Sequence, residues 1–186
     1  YSRARNLQKA AQIILNNHRG KVPDSMKEIM ELPGVGRYTA GAVLSIAFGQ
    51  KVPVLDGNVK RVLSRLFLLD ENGKTRKSES ILWEVMDNLL PDSEAGNFNQ
   101  AFMELGATIC LPKNPHCLHC PLKQKCEAHK VKQQNSYPPK QGRVSSSKIN
   151  VSVAVIFRHK KIYIQKRKIG QLLGGLWEFP GGKFKQ

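Results

Sequence analysis

The sequence predicts a mainly α domain followed by the start of a smaller α+β domain, and three observations carry that division. Apolar residues recur at three- and four-residue spacing through the first 109 positions. Four cysteines then fall between Cys110 and Cys126. From residue 149 the pattern changes to short β-rich runs, after a stretch rich in Lys, Gln, Ser and Pro. The expected boundaries are 1–129 for the helical part, 130–148 for a linker and 149–186 for the second domain.

Each element has its own signal. Ala4, Leu7, Ala10, Ala11, Ile14 and Leu15 line one helical face, and Gly20 stands where that helix would stop. Ser25-Met26-Lys27-Glu28 has the spacing of a capping box and opens a short helix carrying Ile29, Met30 and Leu32. Pro33-Gly34-Val35-Gly36 breaks it, and Arg37–Phe48 reads as a buried helix ended by Gly49. Further helices are expected over 59–68, 79–90 and 98–109, the last capped by Asn97. In the linker, Pro138-Pro139 favours extended polyproline geometry. Beyond it, residues 149–157 and 161–166 read as two strands around an Arg158-His159-Lys160 turn.

Composition excludes several functions. The chain has 186 residues and a formal net charge of +16, so its partner is expected to be anionic. The charge is local: residues 110–186 hold 16 basic and 2 acidic side chains, whereas residues 1–109 hold 14 and 12. A membrane surface would call for an amphipathic helix with a basic face, and the basic half instead contains Cys, Pro, turns and short strands, which favours nucleic acid. No apolar run approaches the roughly 20 residues that span a bilayer, and the first residues lack the apolar core of a secretion signal. An intracellular protein with no membrane partner is expected.

Two motifs carry chemistry. In Leu32-Pro33-Gly34-Val35-Gly36, between two expected helices, the glycines permit a sharp turn and close backbone approach, and the helix from Arg37 adds its positive end, an arrangement that suits a phosphate. A plain helix–helix turn is the alternative. Cys110, Cys117, Cys120 and Cys126 give C-x6-C-x2-C-x5-C, four thiolates able to wrap one metal centre. Structural zinc usually uses two close pairs and only Cys117/Cys120 is one, so the spacing leans toward iron–sulfur. His116 and His119 are the other ligands a zinc site could use, but histidines in such a basic loop are more often exposed or on phosphate. Asp56-Gly57-Asn58 suits a turn that caps the following helix.

The hairpin Leu32-Pro33-Gly34-Val35-Gly36, then Val54-Leu55-Asp56-Gly57-Asn58-Val59, then the four-cysteine loop, in this order, resemble the endonuclease III superfamily of helix–hairpin–helix DNA glycosylases. Within it the likeness is to the MutY-type adenine DNA glycosylases. The continuous match runs from residue 1 to about 128, and Gly174–Lys183 resembles the start of that family's Nudix-like domain.

The resemblance implies base-excision repair: a monofunctional glycosylase that hydrolyses the N-glycosidic bond of adenine mispaired with 8-oxoguanine or guanine in double-stranded DNA. It implies a [4Fe–4S] cluster on the four cysteines, a monomer, and a location in the cytoplasm or nucleoid if bacterial. It makes Leu32, Gly34, Val35, Gly36 and Arg37 DNA-binding. Asp56 takes the catalytic aspartate's place, its carboxylate stabilising positive charge on the deoxyribose. Asn58 orients that carboxylate or a water. Tyr38 stands where lyase members carry the Schiff-base lysine, and a phenol forms no imine. Lys60 and Arg61 are expected to face phosphate or solvent.

The family's general-acid glutamate lies in an earlier helix that nothing here matches, and the Nudix motif stops at Gly181-Gly182-Lys183. The sequence therefore reads as a fragment with little activity of its own. Trp177 and Phe179 are expected in a core. An endonuclease III-type glycosylase/lyase, and a noncatalytic metal-stapled DNA-binding module, are the alternatives.

Overall fold

A computed structural model of the chain describes residues 2–69, 76–139 and 149–184, apart from the side chains of residues 76 and 77. The chain divides into two compact units, Tyr1–Gln141 and Gly142–Gln186. Residues 140–148 of the expected linker lie outside the described residues.

The first unit is helical. Helix α1 spans Ser2–Asn17, α2 Met26–Met30, α3 Arg37–Ile46, α4 Gly57–Leu66, α5 Arg76–Leu89, α6 Ala95–Thr108 and α7 Glu127–Lys130, with 3₁₀ turns at Cys117–His119 and Lys123–Lys125. The capping box is present: Ser25 Oγ accepts from the Glu28 amide at 3.3 Å and donates to the Glu28 carboxylate at 2.8 Å. Helix α4 is capped by Asp56, so it starts two residues before the periodicity suggests.

The expected cap Asn97 is displaced. Helix α6 begins at Ala95 after Glu94, whose φ of 63° is left-handed, and Asn97 lies in the first turn with its amide on the Glu94 carboxylate. A left-handed residue has already reversed the chain there, so the helix needs no later cap.

Two apolar clusters hold the unit. In one, Ala10 of α1 meets Ile29, Leu32, Ala40 and Leu44. In the other, Leu55, Val59, Val62 and Leu63 pack on Leu82, Trp83 and Met86 of α5 and on Phe102 of α6. The buried side of α1 is narrower than its periodicity suggests, because Leu7 and Leu15 are exposed.

Helices α4 and α6 cross closely at Gly106, where a Cβ would come within 2.5 Å of Asn58 Cβ. Only glycine permits that approach. It draws the start of α4 against the last turn of α6.

The described residues of the second unit form three two-stranded antiparallel ladders. Strand β1 (Val151–Val153) pairs with β6 (Gly181–Lys183), β2 (Phe157–Arg158) with β3 (Lys161–Ile162), and β4 (Gln165–Lys166) with β5 (Trp177–Glu178). The long strand expected over 149–157 changes partner midway: Ala154 donates to Pro180 O, whereas Ile156 O accepts from Tyr163. The turn is the pair His159-Lys160, both left-handed, and Arg158 belongs to the strand. Trp177 and Phe179 are 63% and 39% exposed, contrary to the expected core, because the described ladders have no covering layer. The Tyr137–Pro138 bond is cis.

Candidate active site and four-cysteine centre

The approach to α4 is fixed by a buried polar residue. Asn99 on α6 is fully buried; its amide donates to Val52 O and Ser45 Oγ, both at 2.9 Å, and its oxygen accepts from the Val54 amide at 3.2 Å. These bonds hold the extended chain that delivers Asp56 to the N-terminus of α4. There one carboxylate oxygen accepts from the Val59 amide at 2.7 Å and the other from Asn58 Nδ2 at 3.2 Å. Cap and oriented carboxylate are one arrangement.

Asp56 and Asn58 line a cavity whose opposite wall is Gln100, Met103, Glu104 and Ala107 of α6. These wall residues were missed by the motif reading. Their spacing of three, four and seven places them on one helical face, which is the signal the sequence does contain. Tyr38 is 43% exposed and its hydroxyl donates to Met103 Sδ at 4.0 Å, so it meets this wall rather than the Asp56 carboxylate.

The hairpin has a buried side and an open side. Leu32 is in the core and Val35 packs against the same cluster, leaving only backbone for contact with a partner. Gly34 has φ +83° and Gly36 is the side-chain-free N-cap of α3. The first amides of α3 therefore open outward. The Arg37 guanidinium stacks over the Trp83 ring, 4.0 Å from its centroid.

Two arginines on α4 turn inward, and for Arg61 this corrects the expected phosphate- or solvent-facing role. Arg61 Nη2 donates to Asn58 Oδ1 at 2.9 Å and to Gly106 O at 2.7 Å, and Nε donates to Cys110 O at 2.7 Å. Burial lowers its pKa, with the charges of Cys110 and Asp56 opposing and that of Arg65 adding. Arg65 is 2% exposed; Nη1 donates to Cys110 Sγ at 3.3 Å and Leu111 O at 2.7 Å, and Nε donates to Tyr137 O at 2.8 Å. Its fork satisfies carbonyls of the loop that follows α6 and of Tyr137. Lys60 pairs with Glu79 at 2.9 Å, and Lys51 with Asp92 at 2.5 Å.

All four cysteines line one cavity of about 30 Å³. Burial pushes the Cys117 thiol up, and the nearby Cys110, Cys126 and Cys120 sulfurs add to that. Burial also pushes Cys126 up, against the backbone N–H groups of His129 and Ala128. Among the described residues, no three His, Cys, Asp or Glu side chains converge on a single ion. His116 and His119 are exposed and do not line the cavity; His129 and Gln134 do. Buried His129 Nδ1 and Gln134 Oε1 have no partner in the described protein. Four soft thiols, a buried guanidinium and two orphaned polar atoms around one cavity fit an iron–sulfur cluster.

Comparison with known proteins agrees with this geometry. Residues 17–46 match the helix-hairpin-helix motif. The chain is 37% identical over its whole length to an adenine DNA glycosylase of Buchnera aphidicola from Acyrthosiphon pisum, covering 53% of that protein. It is 37% identical over 97% of its length to the Arabidopsis thaliana adenine DNA glycosylase, covering 31% of it. Against the human one it is 44% identical over 69% of its length, covering 24%. The chain thus spans about half the length, or less, of these curated relatives. Among solved structures, a thermostable thymine-DNA glycosylase superposes with a TM-score of 0.62 at 35% identity, covering 69% of this chain and 59% of that one. A trapped endonuclease III–DNA covalent intermediate gives 0.59 at 31% identity, covering 70% and 60%.

Fold and site define the class as the helix–hairpin–helix DNA glycosylases of the endonuclease III superfamily. Within that class the chain is similar in sequence to the adenine DNA glycosylases, of which it spans about half or less.

Proposed function

We propose that residues 1–129 are the glycosylase core of a base-excision-repair enzyme that removes adenine mispaired with 8-oxoguanine or guanine, with 130–148 a linker and 149–186 the start of a Nudix-like domain. The observation that carries the reading is the Asp56 carboxylate, held by the Val59 amide and by Asn58 at the edge of the cavity shared with α6.

A base flipped from the duplex would enter that cavity. Asp56 keeps its charge beside the sugar while positive charge grows there on bond cleavage, and Asn58 keeps the carboxylate from turning away. Gln100 and Glu104 supply polar groups on the facing wall, and the Met103 thioether supplies a polarisable contact for an aromatic base. The first amides of α3, with Gly34 and Gly36 in front of them, hold a DNA phosphate, and Arg37 contributes its charge from the Trp83 platform. Tyr38 supplies no amine, so the sugar forms no imine at this position and the strand stays intact.

Cys110, Cys117, Cys120 and Cys126 would hold a [4Fe–4S] cluster, whose iron–thiolate bonds supply a rigid staple for the basic loop. The protein acts as an intracellular monomer on double-stranded DNA.

The test uses a full-length curated relative in which residues 2–139 of this chain replace the matching segment. Base release and borohydride trapping are followed on an adenine:8-oxoguanine duplex and on one carrying an oxidised pyrimidine. Adenine release without a trapped adduct is the expected result. Release of the pyrimidine with a trapped adduct would assign the endonuclease III-type activity instead.

A further inference from the structure

The four-cysteine cavity is lined by four polar side chains that are not in the ligand set, Arg65, Lys123, His129 and Gln134. Arg65 already places Nη1 3.3 Å from Cys110 Sγ, the same nitrogen donating to Leu111 O at 2.7 Å, while Nη2 donates to Pro112 O at 3.3 Å and Nε to Tyr137 O at 2.8 Å. His129 follows Cys126 by three residues on α7, and its buried Nδ1 has no partner. The buried Oε1 of Gln134 is likewise without one. Both side chains line the same cavity as the four sulfurs. Buried polar atoms are rarely left unpaired, so the cavity calls for an occupant that hydrogen-bonds to them.

A [4Fe–4S]²⁺ core with four thiolates carries two negative charges and presents only sulfur acceptors to its surroundings. Arg65 is a cation facing it. His129 offers an N–H when its proton is on Nδ1, and the Gln134 amide offers Nε2 when its oxygen and nitrogen are exchanged, an assignment set by the hydrogen-bond network.

We propose that Arg65, His129 and Gln134 form a ring of N–H donors to the sulfurs of the cluster, and that these positioning residues set its reduction potential and its retention. The inference rests on the cluster reading above. Hydrogen bonds to the sulfurs stabilise the more negative, reduced form, so losing one moves the potential down. His116 and His119 are exposed, as the sequence leads one to expect, whereas the fold brings His129 to the cavity.

The experiment uses the 186-residue chain reconstituted anaerobically with iron and sulfide, with iron per protein and midpoint potential measured for wild type, His129→Leu, His129→Gln and Arg65→Lys. His129→Leu is expected to favour the oxidised form about tenfold, a drop of about 59 mV for a one-electron couple. His129→Gln, which keeps a donor, should stay near wild type, and Arg65→Lys should release iron faster. The potential and iron retention of His129→Leu matching wild type would overturn the proposal. Wild type taking up no iron would overturn the cluster reading and the proposal with it. The wild type provides a readout free of any folding defect: pulsed electron paramagnetic resonance of the dithionite-reduced, paramagnetic cluster in the chain labelled with ¹⁵N in the histidine ring should show a coupled imidazole nitrogen, and its absence from a sample with the reduced-cluster signal would also overturn the proposal.

Discussion

The side-chain amide of Asn58 donates to the Asp56 carboxylate at 3.2 Å. Its oxygen accepts from Arg61 at 2.9 Å, and Arg61 in turn donates to the carbonyl oxygen of Cys110 at 2.7 Å. The candidate catalytic carboxylate and the first cysteine of the metal loop are therefore joined by a continuous hydrogen-bonded path along one face of α4.

Asn58→Ala should leave the fold and the iron content near normal while slowing adenine release roughly 10–100-fold, since the carboxylate keeps its bond to Val59 but loses its second anchor. Single-turnover excision beside iron quantitation checks this. Equal rates would mean that the Val59 amide alone positions Asp56.

Arg61→Ala should lower both iron occupancy and melting temperature, because Cys110 O, Gly106 O and Asn58 Oδ1 lose a shared donor. Parallel iron assay and thermal unfolding provide the check. Unchanged iron content would show that the path stops short of the metal loop.

Asn99→Ala should cost about 2–3 kcal/mol, since the Val52 and Ser45 acceptors and the Val54 donor are left without their partner in a dry interior. Denaturant titration at constant slope measures it. A loss under about 0.5 kcal/mol, the range of an ordinary surface change, would mean that the 51–55 segment is held by its apolar contacts.

Gly34→Ala should weaken DNA binding and cost about 1–2 kcal/mol, because an L residue at φ +83° is strained and its Cβ would meet Asn6 Cβ at 2.9 Å. Binding should also become less salt-dependent if a phosphate contact is lost. An unaltered salt slope would remove the hairpin from the DNA interface.

Much of this organisation was legible in the sequence. The spacing at α1 to α6, the Ser25 and Asp56 caps and the cysteine grouping are local signals, and the fold obeys them. The inward turn of Arg61 and Arg65 was not legible. On α4 both look like surface charge, and only the return of the chain after α6 brings open carbonyls to them. His129 escaped for the same reason, because its place at the cavity depends on how the chain returns after Cys126. In the second unit, residues 149–157 carry one β pattern but meet two partners, and no local signal marks where the partner changes. Tyr38 was legible as the absence of an amine, but its contact with Met103, 65 residues away, was not.

The central claim is that the Asp56 carboxylate carries the chemistry. Its most direct test is single-turnover adenine release from an adenine:8-oxoguanine duplex, in the full-length relative containing residues 2–139 of this chain, with and without Asp56→Asn. The amide keeps the cap shape and removes the charge, so mismatch binding should stay within a few-fold while release falls by at least 10³-fold, on the order of the loss of an electrostatic transition-state contact. Release by the Asp56→Asn protein at a rate near wild type would contradict the account.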